Sequence, residues 1–246
     1  MGLIEEEEMR VSSAVKVCIL GLLLCMLIVP GVQALSADEW LDDGNAELDN
    51  GNYEQAITSY EEVLKIEPDH ADAWLFKGVA LTYLARYDEA IECFDNALVI
   101  NPDDEYAWYF KAEALTYLYW YDDAIECYDE ALKIEPDDEI TWAGKGDALY
   151  FLNRDAEAIT SYDEALKIDP DYAYAWFGKG NALLGLERYD EAITCYDKAI
   201  EIDPGFELAI TNRAIAEKAP VSAACVGFAI PLAGLVYIAG RKFRGN

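Results

Sequence analysis

The chain of 246 residues carries 48 Asp and Glu against 18 Lys and Arg, for a formal net charge of −30. Phosphate backbones are gripped by clustered cations, so this balance excludes nucleic acid as a partner and favours basic or polar ones. Six cysteines are spread along the chain without the spacing of a disulfide framework or a zinc site.

The N-terminal stretch is apolar from Val17 to Pro30, with Arg10 and Lys16 before it and Val32-Gln33-Ala34 after it. A basic flank, an apolar run and small residues at a cleavage position are the parts of a secretory signal peptide. Residues 1–34 are therefore predicted to be one, cut after Ala34; an uncleaved anchor is the alternative reading.

From residue 37 to 206 one pattern is written five times, over 37–70, 71–104, 105–138, 139–172 and 173–206. Trp40, Trp74, Trp108, Trp142 and Trp176 mark the period, as do Pro68, Pro102, Pro136, Pro170 and Pro204. A fixed period of this length means a stacked array in which each unit covers its neighbour's apolar face. Within the second unit, Trp74, Gly78, Leu81 and Leu84 recur at helical spacing, and Asp69 is placed to cap that helix. Asp88 and Glu89 open a second helix, Ala90, Phe94, Ala97 and Leu98 form its inner face, and Pro102 ends it. Gly78 is expected opposite Ala90, with Trp74 and Phe94 filling the remaining volume. The fold class is all-α, a solenoid of five helix-turn-helix repeats. Glu47 and Asn50 replace the leucines of the other units and suit an exposed first repeat; Asp155 replaces a tyrosine in the fourth.

Cys93, Cys127 and Cys195 share one repeat position with Ser59 and Ser161. Neighbouring repeats lie about 9–10 Å apart, beyond the roughly 7 Å Cα limit of a disulfide, so these are expected to be small buried fillers. Lys77, Lys111, Lys145 and Lys179 form a row, expected to be a ladder of ion pairs with packed stems.

Residues 207–218 read as a closing helix. Residues 219–240 contain no charge and are followed by Arg241, Lys242 and Arg244. That length spans about 33 Å of helix, enough for a bilayer core, and the basic flank 241–246 should stay cytoplasmic. Signal peptide and C-terminal transmembrane helix together place the repeats outside the cytoplasm; with two uncleaved anchors they would lie inside it.

The residues that could carry chemistry are sparse. His70, the one histidine, sits in a turn and is expected to be solvated. The turns repeat acid pairs such as Asp103-Asp104 and Asp137-Asp138, which suit helix caps and lack the alternation of a calcium loop. No phosphate loop or nucleophile elbow occurs. No catalytic residue, cofactor or metal is predicted, and the chain is read as a non-enzyme.

The Trp, Gly or Ala, Leu, Tyr, Ala, aromatic, Ala and Pro positions of 37–206 resemble those of the tetratricopeptide repeat (TPR) family. The resemblance implies a right-handed superhelix of antiparallel helix pairs, whose first helices line a concave groove that usually holds a peptide or a partner's helix. The family's groove positions fall on Thr82 and Tyr83; on Tyr106, Tyr109, Glu113 and Tyr117; on Ile140, Asp147, Tyr150 and Phe151; and on Tyr174, Phe177, Asn181 and Leu184. The clamp of Lys, Arg and Asn by which some members hold a C-terminal carboxylate is absent: those sites are Asp38, Leu41, Asp42, Asn45, Asp72, Phe76, Tyr106 and Phe110. The resulting expectation is a membrane-anchored scaffold that binds a protein or peptide partner in its groove. The alternatives are a self-associating component of the cell envelope and a cytoplasm-facing tethered adaptor.

Overall fold

The computed structural model describes residues 35–219. Eleven helices follow one another: α1 (Ala37–Asp49), α2 (Tyr53–Ile66), α3 (Ala71–Tyr83), α4 (Tyr87–Ile100), α5 (Glu105–Tyr117), α6 (Tyr121–Ile134), α7 (Glu139–Phe151), α8 (Asp155–Ile168), α9 (Ala173–Gly185), α10 (Tyr189–Ile202) and α11 (Glu207–Lys218). Odd-numbered helices open each repeat, even-numbered ones close it, and α11 covers the last pair.

The helix starts follow the sequence with one shift. Asp104 Oδ1 accepts from the amides of Tyr106 and Ala107 at 3.0 and 3.1 Å, capping α5. Asp138 Oδ2 accepts from the Thr141 amide at 3.3 Å, capping α7. In the second repeat the cap is not Asp69. His70 occupies the equivalent place, and its Nδ1 accepts from the Ala73 amide at 3.3 Å, so the histidine has a structural task rather than a solvated one. Each of these side chains satisfies amides that the first turn leaves without an intrahelical partner. Tyr172 and Phe206 fill the same position before α9 and α11 and make no side-chain cap.

The first helices end on a left-handed residue. In the second repeat the Arg86 amide reaches Leu81 O at 2.9 Å and the Ala85 amide reaches Thr82 O at 3.0 Å, the paired bonds of a Schellman motif. Gly51 takes that place in the first repeat with φ 77°; Ala85, Tyr119, Asn153 and Glu187 take it in the others with φ between 56° and 63°. Left-handed backbone costs a residue with a Cβ about 1 kcal/mol relative to glycine.

The interior is built from rings set against glycines. Tyr60, Phe94, Tyr128, Tyr162 and Tyr196 on the second helices are at most 1% exposed. A Cβ on Gly78 would meet Phe94 at 2.5 Å, so it is the phenyl ring, not Ala90, that closes on this glycine. Tyr162 lies between Gly146 of its own repeat and Gly178 of the next, where added Cβ atoms would meet it at 2.7 and 2.5 Å. One ring thus seals both the helix pair and the joint to its neighbour, and burying such a ring contributes roughly 1.5–3 kcal/mol.

The tryptophans do not fill this volume. The indoles of Trp74, Trp108, Trp142 and Trp176 donate to the carbonyls of Pro68, Pro102, Pro136 and Pro170 at 2.9–3.0 Å and are half-buried. The lysine row runs over them: Lys77, Lys111, Lys145 and Lys179 sit 5.4–5.7 Å from the ring centroids. Their ammonium groups pair with Glu61, Asp95, Asp129 and Asp163 of the preceding second helices at 2.5–2.9 Å. The ladder therefore ties repeat to repeat. Cys93, Cys127 and Cys195 are free and buried, and burial pushes each thiol up to about 11, as fits inert fillers.

Successive first helices touch each other (α1 with α3, α3 with α5, α5 with α7, α7 with α9, α9 with α11), whereas second helices make no comparable contact with one another. The first helices therefore line the inner side of the curve. Among the described residues no helix is long and apolar enough to cross a membrane. The predicted signal peptide at 1–34, the span at 219–240 and the tail at 241–246 lie outside the described residues, apart from Ala219, which caps α11.

Candidate functional site

The residues predicted to line the groove divide into four groups. The first is a row of polar side chains one per repeat on the first helices: Asn45, Glu113, Asp147 and Asn181. Each accepts the hydroxyl of the buried tyrosine of its own repeat. Tyr60 donates to Asn45 Oδ1 at 2.9 Å, Tyr128 to Glu113 Oε1 at 2.7 Å, Tyr162 to Asp147 Oδ1 at 2.7 Å and Tyr196 to Asn181 Oδ1 at 2.9 Å. The second repeat has Val79 and Phe94 in these two places, so the acceptor and the hydroxyl are lost together. A buried hydroxyl without a partner is costly, which explains the pairing. At the end of the row Asn212 of α11 donates to Asn181 Oδ1 at 2.8 Å, so the closing helix takes up a spare acceptor of the groove.

The second group is stacked. Tyr83 lies on Tyr53 with centroids 4.7 Å apart, Tyr117 on Tyr87 at 4.8 Å and Phe151 on Tyr121 at 5.1 Å. These stacks join the end of one first helix to the start of the preceding second helix. In the fourth repeat Asp155 replaces the tyrosine, and Gly185 stands where its stacking partner would be, so the departure noted at Asp155 has a matching one thirty residues on. The third group is core: Tyr109 and Phe177 are 3% and 8% exposed. The fourth reaches solvent or the groove wall. Tyr106 is 44% exposed, and Tyr174 donates to Asp147 Oδ2 at 2.7 Å. Tyr150 is half-buried, 5.9 Å from Phe151.

Two carboxylates in this row are sequestered from solvent. Burial pushes Glu113 up to about 8, with Asp147 adding to the rise and the Tyr128 hydroxyl opposing it. Burial pushes Asp147 up to about 6, opposed by the hydroxyls of Tyr162 and Tyr174. Ile140 stands where Tyr174 stands one repeat later, so Glu113 receives one tyrosine hydroxyl where Asp147 receives two. None of the ion pairs found among the described residues involves either carboxylate. The sequence pattern missed Tyr128, Tyr162 and Tyr172 as members of this site. The joint change of Val79 and Phe94 was the signal that could have found the first two.

Among the described residues no group of three or more His, Cys, Asp or Glu is placed to hold a metal ion. What the first helices offer is a pair of carboxylates bonded by tyrosine hydroxyls, with the Tyr106 ring exposed.

Comparison with known proteins bears on the fold. YrrB, described as a TPR protein with an unusual peptide-binding site, is 22% identical with a TM-score of 0.63, covering 73% of this chain and 92% of its own. A MamA fragment from Desulfovibrio magneticus RS-1 is 20% identical with a TM-score of 0.65, covering 69% and 96%. TTC0263, a thermophilic TPR protein of Thermus thermophilus, is 21% identical with a TM-score of 0.59, covering 74% and 99%. At these identities the likeness shows the fold alone. No curated protein matches the chain. Family models described as tetratricopeptide repeat match residues 47–114, 105–138 and 173–206, and one described as TPR repeat matches 146–186. Together they take in more than half of the chain, which belongs to the tetratricopeptide repeat family.

Proposed function

We propose that the protein is a non-enzymatic scaffold that binds an extended peptide, or an extended segment of a partner, along the first helices of its array. The observation that carries this reading is the unbroken inner row of first helices, with Tyr106 exposed on α5, the helix that also bears Glu113. Aromatic side chains bury large areas at low entropy cost and dominate the energetics of such surfaces. The likeness to YrrB, described as having a peptide-binding site, supports the same reading. The test is selection of binders from a random peptide library on the full chain. Tyr106→Ala should weaken the selected peptides about tenfold, since it removes an exposed ring rather than a core one. Selected peptides that bind this variant unchanged would remove the groove from the account.

The proposal includes anchorage. The apolar 219–240 stretch with its basic flank, and the signal-like 1–34, support repeats held at a membrane outside the cytoplasm. Confinement there raises the local concentration of membrane-bound partners without new contacts. Protease applied to intact cells should cut the 37–206 segment; protection until the membrane is opened would place the repeats inside.

One observation favours self-association as a second reading. Tyr119 and Trp120, 63% and 52% exposed, replace the polar turn of the other repeats, where Arg86, Arg154 and Arg188 pair with Glu89, Glu157 and Glu191. Sedimentation of Trp120→Ser against the parent chain checks it: a shift from oligomer to monomer would support it, and unchanged sedimentation would dismiss it.

A further inference from the structure

The Glu113 and Asp147 carboxylates are 5% and 8% exposed, pair with no cation among the described residues, and lie on adjoining first helices α5 and α7. An independent oddity lies close by: the Tyr172 ring is 6.0 Å from that of Tyr174, whose hydroxyl donates to Asp147 Oδ2 at 2.7 Å. Tyr172 is 6% exposed, and its hydroxyl is sealed from solvent without a hydrogen-bond partner. After burial itself, the largest influence on that hydroxyl is Asp147, with Glu139 and Glu113 behind it, so the orphan atom lies in the field of the two carboxylates. Its position is the one that Asp104 and Asp138 use as helix caps, and Tyr172 makes no cap there. Unpaired polar and charged groups in such surroundings cost free energy that a ligand can recover.

We propose that the inner face of the third to fifth repeats contains a subsite for one basic side chain, a lysine or arginine, supplied by a peptide lying along the first helices. The inference rests on the groove reading above and narrows it. Glu113 and Asp147 serve as counter-ions. The Tyr172 hydroxyl accepts one N–H of the incoming group while keeping its own proton for a carboxylate. Lysine and arginine suit the site because a slender apolar stem can set a cation at depth while the backbone stays outside. The net charge of −30 draws such a segment toward the array from a distance. Burial pushes the Glu113 carboxyl up to about 8, so below that pH seating the cation expels a proton.

The probe is the set of peptides selected from the random library on the full chain. We expect them to share one lysine or arginine whose replacement by norleucine or citrulline weakens binding at least about tenfold. Glu113→Gln combined with Asp147→Asn keeps the acceptor oxygens for Tyr128, Tyr162 and Tyr174. It should weaken the basic peptide by as much and leave the norleucine peptide unchanged. Tyr172→Phe removes a hydroxyl that bonds to nothing, so it should weaken the basic peptide severalfold without lowering the melting temperature. Peptides that depend on Tyr106 but need no basic residue, or that bind the amide variant unchanged, overturn the subsite and leave the groove reading standing. Failure to select any peptide, or binding indifferent to Tyr106→Ala, overturns both.

Discussion

Replacing Glu113 with glutamine should stabilise the array, and increasingly so as the pH rises. The wild-type carboxyl sits at about 8 when folded against an ordinary 4.5, chiefly because burial disfavours its charged form. Between those two values the folded chain keeps a proton that the unfolded chain has lost. The stability this group allows is therefore fully present below its unfolded value and drains away as pH climbs through about 8. Each pH unit in that window corresponds to about 1.4 kcal/mol, so the full loss is on the order of 5 kcal/mol, an upper bound reduced by coupling to Asp147. Glutamine has no such linkage, and its amide oxygen can still accept from Tyr128. Urea unfolding followed by circular dichroism at pH of about 5 and about 8.5 measures the difference between parent and variant at each value. The general repulsion of so acidic a chain acts on both proteins and cancels in that difference. The variant should gain at least about 2 kcal/mol over the parent between the two conditions. Parallel pH dependences would show that the Glu113 carboxyl is not held above its ordinary range in the folded chain.

Three other outcomes follow from the same structure. Tyr128→Phe leaves Glu113 without its hydroxyl donor and should cost about 1–3 kcal/mol in urea unfolding, while adding Glu113→Val, which copies the Val79 and Phe94 pair of the second repeat, should recover at least half of that. Glu187→Gly places glycine at an exposed left-handed position with φ 59° and should raise the unfolding midpoint by roughly 0.5–1 kcal/mol equivalent. Lys145→Met breaks the 2.5 Å pair with Asp129 and the contact over Trp142, and should cost about 1 kcal/mol or less, a loss that shrinks in high salt.

The period alone fixes the architecture, because five tryptophans and five prolines in one register leave no other way to bury the apolar faces of these helices. The roles of the groove residues were much harder to read. Tyr109 and Tyr106 stand three residues apart on α5, yet one is core and the other exposed; the family pattern names both as groove positions. Glu113, Asp147 and Asn181 look like ligand contacts until their fifteen-residue partners Tyr128, Tyr162 and Tyr196 are set beside them. That pairing was in the sequence, in the joint appearance of Val79 with Phe94; the joint appearance of Gly185 with Asp155 marked the separate stacking series. Tyr172 was not legible, because a tyrosine in a turn gives no sign of which neighbour its hydroxyl meets. The Trp74 reading failed for a related reason: helical spacing says which side a ring is on, but the bond from its indole to Pro68 depends on the turn between repeats.

The most direct test of a peptide-binding inner face is hydrogen exchange on the full chain with and without a selected peptide. Slowed exchange should concentrate in α5, α7 and α9, with α6 and α8 changed far less. Protection confined to the second helices, or to the Tyr119–Trp120 turn, would place the partner on another surface and contradict the groove reading.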